Sequence, residues 1–309
     1  MPDISFVVTV FNKEDYLPRL FDNLIRAARE ADNAEFIFVD DGSIDTSRTL
    51  LGTFAARESR AVVIAQANSG PAIALNRGVR AARYPIVKPM DADDLLIEGG
   101  ITYLLKGLAL GVPLVTAAKD PSDLAGFEAR RGIVDADYAV ERDPLPRAIA
   151  ENWCGCTDVM FKREEFLSVG GCDERLFVQD NSFIRRMCAR YPIARSPSAI
   201  GIEFASEGRI SLNRAQIQHD LNGANIDLVI DFPDLPRAIK KLAFRRAAQT
   251  AWKWDRRHNG AAFGRARSFW VCMFAYLPLL LPSESLMRET LKPFHVGGTI
   301  RAPTGVHVG

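Results

Sequence analysis

Three carboxylates fall within four residues at Asp91, Asp93 and Asp94, directly after the apolar-leaning run Pro85–Met90. Side chains alternate between the two faces of an extended segment, so Asp91 and Asp93 point the same way and can share one target. Carboxylates this close repel each other, and a hard divalent cation bound together with phosphate oxygens relieves that repulsion. The plainer alternative is an acidic, solvated turn that caps the following helix, because short acidic motifs are common.

The segments around these carboxylates alternate between predicted strands and predicted helices. Short apolar runs are typical of strands that are buried on both faces. They occur at Ile4–Val10, Glu35–Val39, Ala61–Ile64, Ile86–Met90 and Leu114–Ala117. Helical spacing or cap residues predict helices between them, and Asn12 is expected to cap the first helix. This alternation indicates right-handed crossovers and a parallel sheet covered by helices, which is an α/β fold.

Polar residues gather where these predicted strands end. Thr9 and Phe11 follow the first strand, Asp40 and Asp41 follow the second, and the three clustered aspartates follow the fourth. In open parallel sheets, ligands bind outside the carboxyl ends of the strands. Residues that are far apart in the sequence are therefore expected to form one ligand site.

Composition narrows the class of protein. A chain of 309 residues with 48% hydrophobic and 25% charged residues is expected to form one large or two joined globular units. The net charge of +1 gives no overall attraction to nucleic acid, so no nucleic-acid partner is predicted. Five cysteines at irregular spacing suggest a reducing compartment, and the N-terminus does not resemble a signal peptide. We therefore predict a cytoplasmic protein.

Several segments, taken in order, resemble glycosyltransferase family 2, whose members have the GT-A fold and use nucleotide sugars. They are Val8–Asn12, Val39–Asp45, Asn68–Gly70, Ala74–Gly78 and Met90–Asp94. This resemblance covers about residues 3–95, and the combination is specific. It implies a Rossmann-like, mostly parallel sheet with helices on both faces. It also implies inverting, metal-dependent transfer of a sugar from a nucleotide diphosphate, with UDP as the expected nucleotide, to a hydroxyl of a glycan, lipid-linked or other acceptor.

The resemblance assigns roles to the aspartates at the end of the fourth strand. Asp94 is expected to bind Mn²⁺ or Mg²⁺ most directly, and Asp93 to reach the ribose and the metal. Asp91 is either a metal ligand through water or a strand-end cap. Some GT-A enzymes close the metal site with a late histidine, which would be His219 here; a packing histidine on a helix is the alternative.

For the nucleotide, the resemblance implies that Phe11 offers a flat face to the base and that Asp41 accepts a base N–H. Asp40 is expected to bind the ribose side or to brace its turn. The other nucleotide-binding candidates are Thr9, Asn68 and Arg77. Arg77 would order the carboxylates or the diphosphate, unless it is an ordinary surface or ion-pairing arginine.

Gly170–Glu174 and Phe177–Asp180 resemble the acceptor-side segment of the family, in which a Glu-Asp pair usually supplies the catalytic base. Here the pair is Gln179-Asp180. Asp180 is therefore the expected base, and a helix cap is the alternative. No second carboxylate stands out as a nucleophile, so a covalent route is disfavoured.

The resemblance suggests three parts, and so does the change along the chain from alternating strands and helices to helices alone. Residues 1–117 would bind the nucleotide sugar, and residues 118–213 would bind the acceptor and carry the base, with a flap within 118–150. Residues 214–309 would be a C-terminal helical extension with a loose tail. Between Arg237 and Arg267 lie ten Lys or Arg residues and one acid. Residues 235–281 could therefore contact a membrane peripherally; alternatively Phe269–Leu281 packs on the catalytic domain beside a solvated basic face.

Two other functions compete with this prediction. The loss of the glutamate at Gln179 would suit a catalytically inactive nucleotide-sugar-binding or scaffold protein. A sugar-nucleotide nucleotidyltransferase shares the alternating sheet, but it requires a Gly-rich, basic phosphate loop after the first strand. The segment Phe11–Asp15 does not supply such a loop.

Overall fold

The computed structural model of the protein describes residues 2–118, 133, 136–151, 155–203, 212–278, 281–296 and 300–303. The strands in this part of the chain are β1 Ile4–Val10, β2 Ala34–Asp40, β3 Ala61–Ala65, β4 Ile86–Asp91, β5 Asp94–Leu96, β6 Leu114–Ala118, β7 Ala139–Glu141, β8 Val159–Lys162, β9 Ile193–Ala199 and β10 Gly201–Glu203. The α-helices are α1 Leu17–Ala27, α2 Ser47–Arg57, α3 Pro71–Ala81, α4 Gly100–Leu108, α5 Leu145–Ala150, α6 Arg163–Ser168, α7 Asp180–Cys188, α8 Arg214–Asp231, α9 Arg237–His258, α10 Arg267–Phe274 and α11 Glu284–Arg288. Short 3₁₀ helices lie at Ala28–Glu30 and Lys292–His295.

Eight strands form one mostly parallel sheet in the order β3-β2-β1-β4-β8-β6-β9-β7, and β5 pairs with β10 in a separate ribbon. Strands β3, β2, β1 and β4 are parallel to one another, whereas β8 and β7 run antiparallel to their neighbours. In register, Val10 lies beside Asp40, and Thr9 lies beside Asp91. The strand ends that carry polar residues therefore meet at one edge, and the predicted α/β fold is confirmed.

Helices cover both faces of the sheet because β1 and β2 are apolar on both faces. Phe6 and Val8 contribute to a buried cluster with residues of α1, α2 and α4, whereas Val7 contributes to a cluster on the other face. Helix α3 packs close to β1: a Cβ added to Gly78 would lie 2.3 Å from Val7 Cγ1. Helix α3 begins at Pro71, directly after Gly70, whose N–H donates to Asp41, so its start lies at the edge of the sheet where the polar residues gather.

The C-terminal helices share the core of the sheet. The cluster that contains Val7 also contains Ile226 of α8, Phe244 of α9, Val271 of α10 and Met287 of α11. Within Phe269–Leu281, Phe269, Val271, Cys272 and Ala275 are buried, and other apolar side chains remain exposed. Among the described residues, no helix is long and apolar enough to cross a membrane.

The structure differs from the sequence prediction in several elements. Asn12 does not cap α1, which begins at Leu17 without a side-chain cap; instead the Asn12 side chain accepts a hydrogen bond from the N–H of Ile44. The region 118–150, in which a flap was predicted, contains β7 and α5; its residues 119–132, 134 and 135 lie outside the described residues, as does most of the predicted loose tail. Strand β9 has no counterpart in the prediction, because it carries Arg195, Ser196 and Pro197 instead of a continuous apolar run.

Candidate active site

The aspartate cluster forms a tight turn between β4 and β5. Asp93 and Asp94 are buried and Asp91 is partly exposed. The hydroxyl of Thr157 ties the two ends of this turn together, because it donates to Asp94 Oδ2 at 2.6 Å and accepts from the Asp91 N–H at 3.2 Å. The turn therefore has a fixed shape in which carboxylates are held at the edge of the sheet.

A lysine from the loop after β1 reaches the same turn. Lys13 Nζ lies 2.6 Å from Asp93 Oδ2, and both side chains are largely buried. The Lys13 N–H donates to Ser47 Oγ at 2.8 Å, which fixes the loop that carries the lysine. Asp93 is therefore ion-paired within the protein, and a ligand at Asp93 must share this carboxylate with Lys13 or displace the lysine.

A second lysine lies beneath the turn. Lys88 is fully buried in β4, and its ammonium group donates to the Thr157 carbonyl at 2.6 Å and to the Pro89 carbonyl at 2.8 Å. Burial lowers the pKa of Lys88 to about 8, although nearby acidic groups, including Asp91 and Asp94, act in the opposite direction. The sequence signal for this residue is a lysine inside an apolar strand just before the aspartates, and it was given no role in the sequence analysis.

Asp41 shapes the turn that follows β3. Its carboxylate accepts from Gln66 Nε2 at 2.8 Å, from the Ser69 N–H at 2.8 Å and from the Gly70 N–H at 2.9 Å. Next to Asp41, Gly42 has a φ of 78°, and a Cβ there would lie 2.7 Å from the backbone nitrogen of Asn68. The turns after β2 and β3 therefore fit against each other closely. A carboxylate has about four acceptor positions, so Asp41 retains acceptor capacity for a ligand.

Phe11 and Asp40 lie at the neighbouring strand ends. Phe11 is 39% exposed, so part of this aromatic residue is accessible to a ligand. Asp40 is buried and braces its own turn by accepting from the Ser43 N–H at 3.1 Å. Asn12, next to Phe11, has a φ of 51°, and its N–H donates to Ser43 Oγ at 3.0 Å. The loops after β1 and β2 are thus linked, and Phe11 faces outward from the edge of the sheet.

Arg77 lies on α3 and is exposed. Its guanidinium donates to the carbonyl of Ala65 and to Gln66 Oε1, each at 3.3 Å. Because Gln66 also donates to Asp41, these contacts place Arg77 beside the Asp41 turn, at the end of β3. Its hydrogen bonds therefore fit the surface alternative better than an ordering role at the aspartate cluster.

The expected base and the aspartate turn are brought together by Gln179. Its amide Nε2 lies 3.0 Å from Asp91 Oδ1. Asp180 follows as the first residue of α7, and its Oδ1 accepts from the Asn181 N–H at 2.7 Å. The N-cap position of α7 is Gln179, which makes no side-chain cap bond. Asp180 is therefore at a helix N-terminus without being the cap residue.

Asn76, which the sequence analysis did not single out, anchors the segment before Asp180. Its side chain pairs with the backbone of Cys172 in both directions, at 2.8 and 2.9 Å, and also donates to Glu174 Oε1 at 2.9 Å. Gly171 has a φ of 65°, and a Cβ there would lie 2.4 Å from Asn76 Oδ1. The buried asparagine thereby fixes the acceptor-side segment on α3.

His219 lies on α8, where its Nδ1 is 2.7 Å from Asp220 Oδ1 and its ring packs against Phe294 and His295. Asp220 Oδ2 accepts from the N–H groups of Phe177 and Val178, at 3.0 and 2.8 Å. The contacts of His219 therefore fit the packing alternative. They also show that Asp220, which had no role in the sequence analysis, holds the loop that leads to Asp180.

Comparison of the sequence with known protein families identifies the family of the residues that form this site. Residues 5–132 match the family model described as Glycosyl transferase family 2. These residues belong to glycosyltransferase family 2. EpsH of Bacillus subtilis, which carries the name of a glycosyltransferase, is 36% identical over 152 residues, which are 47% of this chain and 41% of EpsH. The undecaprenyl-phosphate 4-deoxy-4-formamido-L-arabinose transferase of Pseudomonas paraeruginosa is 31% identical over 170 residues, which are 50% of each chain. The chain thus spans half or less of the length of these two relatives.

Two solved structures share the GT-A fold of the chain over nearly its whole length. Residues 1–349 of TarS from S. aureus, in complex with UDP-GlcNAc, align with a TM-score of 0.61 and 15% identity and cover 97% of this chain and 93% of that one. The mannosyltransferase PcManGT of Pyrobaculum calidifontis, in complex with GDP-Man and Mn²⁺, aligns with a TM-score of 0.56 and 18% identity. Coverage is 96% of this chain and 88% of PcManGT. At these identities the likeness concerns the fold.

The carboxylates of this site suit a divalent cation whose remaining ligands come from a substrate. In the described ranges, no three or more His, Cys, Asp or Glu side chains are grouped so that they could hold a metal ion by themselves. Mg²⁺ at nucleotide sites usually takes one or two carboxylates, and phosphate oxygens and water complete its shell. The turn Asp91–Asp94 offers carboxylates of this kind, so its residues fit a metal that arrives with a nucleotide.

Proposed function

We propose that the protein is an inverting glycosyltransferase that moves a sugar from a nucleotide diphosphate to a hydroxyl of an acceptor. The observation that carries this proposal is the hydrogen bond from Gln179 to Asp91. It brings the segment with the expected base, Asp180, against the aspartate turn of the family 2 domain. A donor held at the turn would therefore present its sugar close to a carboxylate that can accept a proton.

For the donor, we propose that the nucleotide lies across the ends of β1, β2 and β3. The exposed face of Phe11 would stack on the base, and Asp41 would use its remaining acceptor capacity for a base N–H. Asp40, Thr9, Asn68 and Arg77 would line the same edge. UDP is the first nucleotide to test; the complexes of TarS with UDP-GlcNAc and of PcManGT with GDP-Man support uridine and guanosine nucleotides as the two candidates.

We propose that Asp93 and Asp94 hold Mn²⁺ or Mg²⁺ together with the diphosphate, and that Asp91 contributes directly or through water. When bound, the metal would neutralise the negative charge that develops on the leaving diphosphate. The Mn²⁺ in PcManGT supports this cofactor. Lys13, which pairs with Asp93, would turn to the diphosphate when the metal takes its place. His219 is outside the proposed set because its contacts in the described part of the chain are with Asp220, Phe294 and His295 and not with the aspartate turn.

In the proposed reaction, Asp180 accepts the proton of the acceptor hydroxyl as its oxygen attacks the anomeric carbon. The bond from this carbon to the diphosphate oxygen breaks in the same displacement. The nucleoside diphosphate leaves on the opposite face, and the configuration at the anomeric carbon is inverted.

We propose that the three parts of the chain have different roles. Residues 1–117 would hold the donor, residues 118–213 would hold the acceptor and carry the base, and residues 214–309 would support both.

For the acceptor, we propose a glycan or a lipid-linked hydroxyl, reached by a protein that lies peripherally on a membrane. The exposed apolar side chains of Trp270, Met273, Tyr276, Leu277 and Leu281 support this contact. Two basic residues lie next to them: Lys241 Nζ donates to the Leu277 carbonyl at 2.8 Å, and the Arg245 guanidinium lies 4.9 Å from the centre of the Tyr276 ring. Aromatic side chains beside basic ones suit the interface of an anionic membrane.

The four described cysteines are buried thiols, which supports a cytoplasmic location.

A donor screen tests the proposed activity. The full chain is incubated with UDP- and GDP-sugars, with and without Mn²⁺, and release of the nucleoside diphosphate is measured. We expect metal-dependent release from one donor and a loss of transfer of about 100-fold or more in Asp180→Asn, because this variant cannot accept the proton. Donor binding should be unchanged in that variant. If nucleotide sugars bind without any turnover, the protein is a binding or scaffold protein instead.

Co-sedimentation with vesicles tests the membrane contact. We expect salt-sensitive binding to anionic vesicles and none to neutral ones, because each basic residue near an anionic surface contributes about 1 kcal/mol. Trp270→Ser with Leu277→Ser should weaken this binding, whereas Val62→Ser, an exposed apolar residue on the edge strand β3, is the matched control. Absence of binding at low salt contradicts the membrane contact and leaves the proposed transfer reaction intact.

A further inference from the structure

A short segment near the C-terminus lies against the helix that supports the base. Arg301 pairs with the side chain of Gln216 on α8 in both directions: its N–H donates to Gln216 Oε1 at 2.7 Å, and its carbonyl accepts from Gln216 Nε2 at 3.3 Å. Gln216 is only 1% exposed. The backbone of Arg301 is thus fixed by a buried partner, and this anchoring does not depend on the arginine side chain.

The side chain of Arg301 extends toward the candidate active site. Its guanidinium carbon lies 5.8 Å from the centre of the Phe177 ring, a cation–π contact. Phe177 also faces the donor side, because a Cβ added to Gly70 would lie 3.2 Å from its ring. In sequence it directly precedes Val178 and the Gln179-Asp180 pair. Arg301 therefore lies next to a residue that separates the Asp41 turn from the base.

The residues around this position are mostly acidic, whereas a negatively charged diphosphate needs cations to bind it. The candidate site is rich in aspartates, and three cations near it make contacts within the protein: Lys13 pairs with Asp93, Lys88 is buried against carbonyl oxygens, and Arg77 donates to Ala65 and Gln66. Arg301 is exposed, and its guanidinium makes no ion pair with a carboxylate in the part of the chain that the structure describes. Its N–H groups are therefore available to an anion.

We propose that Arg301 binds a phosphate group of a substrate at the mouth of this site. The planar guanidinium matches the oxygens of a phosphate with two parallel hydrogen bonds, and the contact with Phe177 holds it in place. This inference rests on the proposed function. The phosphate can come from the diphosphate of the donor or from a phosphate of a lipid-linked acceptor, and Arg301 offers the same chemistry to both.

Calorimetry on the full chain tests the donor source, with UDP and GDP in the presence of Mn²⁺ and with uridine and guanosine as phosphate-free ligands. In Arg301→Ala we expect diphosphate binding to weaken about tenfold or more, because a hydrogen bond to a charged group is lost, and nucleoside binding to be unchanged. Arg301→Lys should be intermediate, since it keeps the charge and loses the planar fork. The matched control is Arg57→Ala, which removes an exposed arginine from the far end of α2.

Phosphatidylcholine vesicles with and without a polyprenyl phosphate test the acceptor source. If Arg301→Ala keeps diphosphate binding and loses the preference for the polyprenyl phosphate, the acceptor supplies the phosphate. If both kinds of binding are unchanged while the wild type binds nucleotide, Arg301 only packs on Phe177 and the inference is wrong. A wild-type protein that binds neither ligand overturns the proposed function and this inference with it. Thermal unfolding should be the same for all variants, because the backbone anchor at Gln216 remains.

Discussion

Gln179 donates its amide N–H to Asp91 across 3.0 Å, so the loop that carries Asp180 is joined to the acidic turn by a neutral group. A glutamate at this position would place a second carboxylate against Asp91. Like charges at this distance disfavour ionisation of one of the two groups. The amide of Gln179 reaches Asp91 without this repulsion.

Gln179→Glu should therefore make activity more sensitive to pH. At low pH the introduced carboxyl group is protonated and can still donate to Asp91, whereas at higher pH the ionised group repels it. We expect the ratio of variant to wild-type turnover to fall several-fold as the pH rises from about 5 to 8. Gln179→Met, which removes the bond without adding charge, is the control and should lower turnover by a constant factor. A flat ratio for Gln179→Glu would show that this contact does not influence the site.

Asp94→Ala should abolish metal-dependent binding of the nucleoside diphosphate. Asp94 is held by the Thr157 hydroxyl at the edge of the sheet, and its removal takes away one of the two carboxylates expected to bind the metal directly. The measurement is calorimetry with UDP or GDP in the presence of Mn²⁺ and in the presence of a chelator. Asp15→Ala, an exposed aspartate at the same edge, is the control. Equal binding with and without the chelator in the wild type would contradict the metal site.

Asp220 should act as a positioning residue for the base. Its Oδ2 accepts the N–H groups of Phe177 and Val178, and it is only 1% exposed. Asp220→Ala leaves both buried donors without this acceptor, so the free energy of unfolding should fall by about 2 kcal/mol or more. Asp220→Asn keeps an acceptor oxygen and should lose less.

The turnover of these Asp220 variants separates positioning from general stability. At a temperature where both variants are folded, we expect kcat to fall more in Asp220→Ala than in Asp220→Asn, with the KM for the donor unchanged. Such a pattern requires that the carboxylate acts on the loop and not on the nucleotide. A KM for the donor that rises in parallel with the loss of kcat would argue against this role.

Lys88 should make stability depend on pH in the alkaline range. Its pKa is lowered by burial from 10.5 to about 8, so between these values the unfolded chain binds more protons than the folded chain. The contribution of Lys88 to the free energy of unfolding should therefore rise with pH from about 8 to 10.5, by roughly 3 kcal/mol for a shift of this size. Below pH 8 the penalty for burying the charged lysine is fully present.

Lys88→Met isolates this contribution. The variant has no titrating group at this position, so the difference between the wild-type and variant free energies of unfolding should change over the same pH range. Denaturant unfolding at pH 7, 8, 9 and 10 measures it. The control is Lys292→Met, which removes an exposed lysine, and it should leave the pH dependence of the wild type unaltered. A pH-independent difference for Lys88→Met would mean that Lys88 titrates normally.

The parts of the fold that were predictable are those decided by local pattern. Strands β1, β2 and β4 are mostly apolar because helices cover both faces of the sheet, and this burial is visible in the residue types. Strand β9 could not be found in this way, because at this part of the sheet it alternates buried residues with Arg195 and Pro197. The Asn12 cap was wrong because its side chain bonds to Ile44, in a loop 32 residues away.

The candidate site follows the same division. The strand-end aspartates were found because their spacing is a local signal. Asn76, Lys88 and Asp220 were not, because each is defined by partners far away in the sequence. Asn76 binds Cys172, Lys88 binds the Thr157 carbonyl, and Asp220 binds Phe177. Only the packing of distant segments turns an ordinary helix or strand residue into one that fixes the site.

Helix α8 contributes to the core of the sheet and also binds the backbone of the loop before Asp180. Residues from 214 onward therefore cannot be exchanged independently of the rest of the chain. A chimaera joined at residue 213 to the corresponding region of a relative would need a carboxylate in the place of Asp220 to bind the N–H groups of Phe177 and Val178. A C-terminal region without an acceptor at this position would leave those two buried N–H groups unpaired, however similar the nucleotide-binding parts of the two proteins are.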